Sequence, residues 1–181
     1  IPLQHAADNV LKSMRRKVTN QDTRNIINEI RSILPEIAIR TTMLVGFPGE
    51  TRDDIEQLKD FIEEMRFERL GVFNYSHEEG THGYKLEDNV SPEDKIARAN
   101  EVMEVQQEIS LALNEAKIGK TFKVLFDKKE GENFIGRTEY DSPDVDNEVL
   151  IDAKKQYVAI GEFAQVKITD ATDFDLFGEL V

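Results

Sequence analysis

The residue types best suited to a small-molecule site lie in one stretch, Arg40 to Thr51, RTTMLVGFPGET. Gly46, Pro48 and Gly49 make a tight turn directly after an apolar run. Thr51 then stands where it would cap a helix whose first turn carries Asp53 and Asp54. Strand, glycine turn and helix start together bring backbone N–H groups to the carboxyl end of a strand, where α/β folds hold ligands. The same pattern also serves as an ordinary βα turn, and Gly-x-x-Gly alone does not separate the two uses. A triphosphate cradle is excluded, because no lysine follows Gly49 before Lys59.

Other polar positions are less specific. Arg40 is the one charged residue in the run Ile37 to Val45, so it needs a ligand, a structural carboxylate or a route to the rim. His5 follows a strand-like Ile1–Leu3 and suits either an active-site face or a structural hydrogen bond. Glu50 reads as the cap of its own turn. His77 and His82, with Glu78 and Glu79 between them, imitate a metal site but lack helical ligand spacing. The chain has no cysteine, hence no disulfide, no thiolate nucleophile and no thiolate-held cluster within these residues.

The elements that must position these groups follow from periodicity. Ile1 to Leu3 is a strand tail, and a short helix from about Asp8 carries Val10, Leu11 and Met14 on one face. Gln21 to Leu34 is a second helix with Ile26, Ile27, Ile30, Ile33 and Leu34 as its apolar face, stopped by Pro35. Ile37 to Val45 has the composition of a strand buried on both faces. A helix from about Arg52 to Met65 turns Ile55, Leu58, Ile62 and Met65 inward, and Arg69 to Tyr75 is the next strand. Strands alternating with helices fit consecutive βα units of a parallel sheet or barrel, only part of which is present. Ser91 caps the longest helix, which opens at Pro92 and runs to about Lys117; Ile96, Ala99, Val102, Met103, Ile109, Ala112, Leu113 and Ala116 form its expected buried side. Gly119 ends it, and the division into units is expected at residues 1–117 and 118–181. Beyond it the period becomes two, with five short strands that predict a small antiparallel barrel of the oligonucleotide-binding type.

A length of 181 residues allows two small cores, and a net charge of −13 opposes sequence-blind binding to nucleic acid or acidic membranes. No apolar run approaches a membrane span and no signal-like segment opens the chain, so a cytoplasmic protein is expected. The missing initial methionine and the opening strand tail read as a piece of a longer protein.

Three stretches and an ending, taken in order, carry a resemblance. IPLQH followed by VLKSMRR, then RTTMLVGFPGET, then GVFNYSHEEGT, and the closing KITDATDFDLFGELV are similar to the carboxyl-terminal part of the radical S-adenosylmethionine methylthiotransferases. The ending and the acidic barrel most resemble the branch that methylthiolates the β-carbon of an aspartate in the twelfth small-subunit ribosomal protein. From Ile118 onward, 8 lysines and arginines face 14 aspartates and glutamates, a net of −6 that suits a protein substrate better than RNA. A tRNA methylthiotransferase of the same family is the alternative, and a non-catalytic binding module is the alternative of a different class.

The resemblance implies a partial (βα) barrel followed by a terminal barrel called TRAM for substrate docking. It implies S-adenosylmethionine and two 4Fe-4S clusters in the parent enzyme. The CxxxCxxC loop that ligates the catalytic cluster is absent, so the parent is expected to be an enzyme and this piece to be inactive alone, with no cofactor bound. In position, Leu44, Val45 and Gly46 correspond to the family's adenine-supporting strand end, and Gln4 and Arg40 are candidates for contacts to ribose or the methionine carboxylate. The loop of Tyr75, Ser76, Glu78, Glu79, Gly80 and Thr81 resembles the loop near the substrate entrance. Cutting a parallel barrel leaves strand edges open, so self-association is expected alongside a ribosomal-protein partner.

Overall fold

The structure is a computed structural model that describes residues 1–143 and 145–181, and the chain divides into two compact units, Ile1–Gln106 and Gln107–Val181. The first unit contains α1 (Asp8–Ser13), α2 (Asn20–Ile33), β1 (Arg40–Val45), α3 (Arg52–Met65) and β2 (Arg69–Asn74). A single 3-10 turn, Gly83–Lys85, precedes α4 (Pro92–Glu115), and the division between units falls inside that helix.

β1 and β2 are parallel, in register from Arg40 opposite Arg69 to Val45 opposite Asn74. On the other side of β1, Gln4 forms a parallel bridge with Met43: its N–H donates to the Thr42 carbonyl at 2.9 Å and its carbonyl accepts from Leu44 at 2.7 Å. The expected strand tail is thus reduced to one bridging residue, with β1 central. β1 differs from expectation in two ways. It begins at Arg40 rather than Ile37, and it alternates: Thr41, Met43 and Val45 are buried, Thr42 and Leu44 are half-buried and Arg40 is exposed. A period-two pattern is what one covered face produces.

The helices begin where capping chemistry dictates. Thr19 and Thr51 each accept from the N–H three residues on, while Asp22 and Asp54 accept from the N–H of the capping threonine, closing a reciprocal box at both helix starts. α3 buries Ile55, Leu58, Ile62 and Met65 as its spacing predicts, together with Phe61. α2 does not bury its whole apolar face. Thr23 and Ile27 point inward, while Ile26, Ile33 and Leu34 are exposed.

In α4 the buried side is rotated from the expected one. Lys95, Val102, Gln106, Ile109 and Asn114 are buried and Ile96 is 54% exposed. The polar members are tolerated there because each meets a partner: Lys95 reaches Asp88, the Gln106 amide donates to the Phe67 carbonyl at 2.9 Å, and the Asn114 amide donates to the Thr172 carbonyl at 2.9 Å.

In the second unit β3 (Thr121–Glu130), β4 (Asn133–Thr138), β5 (Glu148–Asp152), β6 (Phe163–Ala171) and β7 (Asp175–Leu180) close into a barrel in the order β3-β4-β5-β7-β6. The small, mainly antiparallel barrel expected is present: every pairing is antiparallel except β5 with β7, which is parallel. Its core is the inward set of each strand: Val124, Phe126, Phe134, Val149, Ile151, Val166, Ile168 and Leu176. Gly136 and Gly178 lie where strands approach too closely for a side chain; a Cβ at Gly178 would meet Val166 Cγ1 at 2.4 Å.

Candidate functional site at the strand ends

The carboxyl end of β1 is tied down by a buried polar network. Gly46 adopts φ +77°, a conformation that costs glycine little, and its N–H donates to Glu50 Oε1 at 2.9 Å. The same oxygen accepts from the Arg98 guanidinium at 2.7 Å, and Glu50 Oε2 faces His5 Nε2 at 3.3 Å, with both side chains fully buried. His5 Nδ1 accepts from the Ala7 N–H at 2.9 Å, so the imidazole proton belongs on Nε2, directed at the carboxylate. Burial pushes the Glu50 carboxyl up, but its contacts with His5, Arg98 and the Gly46 N–H outweigh it and hold the group below its ordinary range. Of the two roles open to His5, the structure takes the hydrogen-bonded structural one, and Glu50 caps its turn as expected.

Above this network lies an apolar cluster of Ala7, Val10 and Phe47, against which Met14, Leu44, Tyr75 and Leu86 pack. Phe47 and Tyr75 meet edge to face with centroids 5.0 Å apart. Beside them opens a cleft of about 240 Å³ lined by Met14, Phe47, Tyr75, Ser76, Glu78, Thr81, His82 and Gly83. The loop residues at its mouth are held by local bonds. Ser76 donates to Glu78 Oε1 at 2.5 Å, Thr81 donates to the Glu78 carbonyl at 2.7 Å, and the Tyr75 hydroxyl lies 3.2 Å from His77 Nδ1. The Tyr75 hydroxyl is pushed up by burial and then by the charges of Asp88 and Glu78.

The sequence-predicted residues separate into two groups. Gln4, Leu44, Val45 and Gly46 come together at one end of β1, linked through the Gln4 bridge. Arg40 opens the same strand at its other end, five residues and about 16 Å away, the side opposite the turn. The exposed backbone expected at the turn is largely spent internally: Val45 is fully buried with its carbonyl accepting from Tyr75, and the Gly46 N–H is taken by Glu50. Half-buried Leu44 and Gln4 remain on the more open face. Sequence reasoning placed the Tyr75–Thr81 loop near an entrance but missed Met14 and Phe47 as walls. Their signal was an aromatic residue between Gly46 and Pro48, where a turn with no packing role would be polar.

Among the described residues no group of three or more His, Cys, Asp or Glu side chains gathers to hold a metal ion; His77 Nδ1 meets the Tyr75 hydroxyl, and His82 lines the cleft. Iron–sulfur clusters do not fit these residues, which include no thiolate. A nucleoside with an apolar face does fit the strand end, where half-buried Leu44 packs against the apolar cluster.

The strand-and-helix half and the barrel half each match a known class: residues 1–62 the Radical SAM superfamily, residues 118–181 the TRAM domain. The chain is similar to proteins named ribosomal protein uS12 methylthiotransferase RimO, with 58% identity over 99% of this chain in Flavobacterium johnsoniae and 59% over 99% in Christiangramia forsetii. The relative from Cytophaga hutchinsonii is 57% identical over 100% of the chain. The chain spans about two fifths of these relatives' length, 41%, 40% and 41% respectively.

Proposed function

We propose that this chain is the part of a uS12 methylthiotransferase that completes the radical SAM barrel and docks the protein substrate. The complete enzyme, in this reading, methylthiolates the β-carbon of an aspartate in uS12 in the cytoplasm. The observation that carries it is the near-complete coverage of this chain, at 58% identity, by a relative named for that activity. The acidic barrel, net −6 from Ile118 onward, supports a basic protein partner rather than RNA, whose phosphates it would repel.

When bound, S-adenosylmethionine supplies a radical that abstracts hydrogen from the substrate carbon. The residues of this chain position and shield. Leu44 offers an apolar wall, Gln4 a side-chain amide for hydrogen bonding, and Val45 and Gly46 a rigid strand end locked by Glu50. Arg40, at the far end of β1, serves the strand's opposite rim. With no cysteine, the chain has no means of holding either cluster and is inactive alone. The TRAM domain starts at Ile118, and we place the functional boundary there.

Mass spectrometry of uS12 from cells lacking the full-length gene tests the reading. Loss of a methylthio group at the target aspartate, with tRNA adenosines unchanged, is expected. Retention of that group with loss of tRNA modification would overturn it.

A further inference from the structure

We propose that the cleft between Phe47, Tyr75 and the Ser76–Gly83 loop is a receptor for an arginine side chain of the protein substrate. This rests on the reading above and names the chemistry by which one part of the substrate is gripped.

The Ser76 hydroxyl proton is spent on Glu78 Oε1 and the Thr81 hydroxyl proton on the Glu78 carbonyl. What the wall still presents is chiefly the second carboxylate oxygen of Glu78 and the lone pairs of Ser76, beside His82 Nδ1, a buried ring nitrogen without a partner among the described residues. A carboxylate with a free oxygen favours a ligand that brings N–H groups and positive charge.

The remaining walls are apolar: the Phe47 ring, the edge of Tyr75 and the thioether of Met14. A planar guanidinium on a methylene stem matches that combination, stacking on an aromatic surface while its fork meets a carboxylate. An ammonium would leave the aromatic wall less well used. A volume of about 240 Å³ accommodates one such side chain.

Nearby cations do not close the site. The Lys95 ammonium lies 5.1 Å from the Tyr75 centroid but is neutralised by both oxygens of Asp88, at 2.7 and 2.9 Å. Arg15 and Arg16, following Met14, are exposed to solvent. The chain as a whole, at −13, draws in a basic segment.

The test titrates the whole chain with N-acetyl-arginine methylamide and its uncharged isostere, N-acetyl-citrulline methylamide, following methionine methyl and histidine ring NMR signals. Met14 and His82 report on the cleft, and fully buried Met43 is the internal control. The arginine probe should shift Met14 and His82 saturably, leave Met43 in place, and bind at least about tenfold more weakly to Glu78→Gln, with Glu78→Asp restoring part of the affinity. Absence of saturable shifts, or equal shifts from the citrulline probe, would overturn the assignment. So would displacement of the arginine probe by S-adenosylhomocysteine, since the cleft would then be a nucleoside site. None of these outcomes depends on methylthiolation, so failure of this assignment and failure of the proposed function are separately visible.

Discussion

Glu50 is the single side chain on which the strand end depends. It joins three segments distant in sequence: the entry to α1 through His5, the glycine turn through Gly46, and α4 through Arg98. Glu50→Ala would leave the partly buried Arg98 guanidinium with only the residue-50 carbonyl and the Gly46 N–H without its acceptor, a loss of about 3 kcal/mol measurable by chemical denaturation. Its pH dependence has a definite sign. The folded-state value lies below the unfolded one, so the contribution is complete above the unfolded value of about 4.5 and disappears as pH falls through the folded value. The stability gap between the wild type and Glu50→Gln should be widest near neutrality and should shrink in acid. A gap that instead grew below about pH 4 would contradict this network. Gly46 is equally constrained: a Cβ there would meet Lys95 Cγ at 2.3 Å on a backbone at φ +77°, so Gly46→Ala should cost more than the roughly 1 kcal/mol of the conformation alone. Lys95→Ala in the same chain should recover the steric share only.

At the scale of elements, the two capping boxes differ in what they hold. At Thr19 the capping aspartate, Asp22, bonds only within its box, and the start is held to α1 separately by the Asn20 N–H donating to Asp8 Oδ1 at 2.7 Å, whereas at Thr51 the capping aspartate itself, Asp54, also accepts from the Asn9 amide at 3.1 Å and ties α3 to α1. Thr19→Ala should therefore lower stability by about 0.5–1 kcal/mol and Thr51→Ala by about 1–2 kcal/mol, compared by thermal melting. In the barrel, Gly178→Ala would place a methyl against Val166 Cγ1 at 2.4 Å and the Lys167 carbonyl at 2.7 Å, in the pairing of β6 with β7. Amide exchange should show faster opening of those two strands, with the β3–β4 hairpin less affected.

For the molecule as a whole, charge and open edges decide behaviour in solution. At −13, association with a basic protein should weaken steeply with added salt, and an RNA duplex should show no measurable affinity at physiological ionic strength; titration across 50–300 mM salt, roughly, checks both. β2 forms an edge of the small parallel sheet, and its Phe73 is 60% exposed. Self-association at high concentration is the expected consequence, and light scattering over a wide concentration range is the measurement. No helix among the described residues is long and apolar enough to cross a membrane.

Much of this was determined by the sequence alone, because it rests on local chemistry. Helix starts at Thr19, Thr51 and Ser91, the turn at Gly46–Gly49 and the alternation through Phe122, Val124 and Phe126 are set by residues within a few positions of each other. The tertiary structure decided what depends on partners far along the chain. It rotated the buried side of α4 onto Lys95, Gln106 and Asn114, because Lys95 met the Asp88 carboxylate just before the helix and Gln106 and Asn114 found distant carbonyls that no periodicity reveals. It left one face of β1 open and made β5 and β7 parallel, since strand neighbours are chosen by topology and not by composition. It set Arg40 at the opposite end of β1 from the turn and drew Met14 and Phe47 into the cleft wall, because a site is a meeting of elements and their spacing in the chain does not encode where they meet.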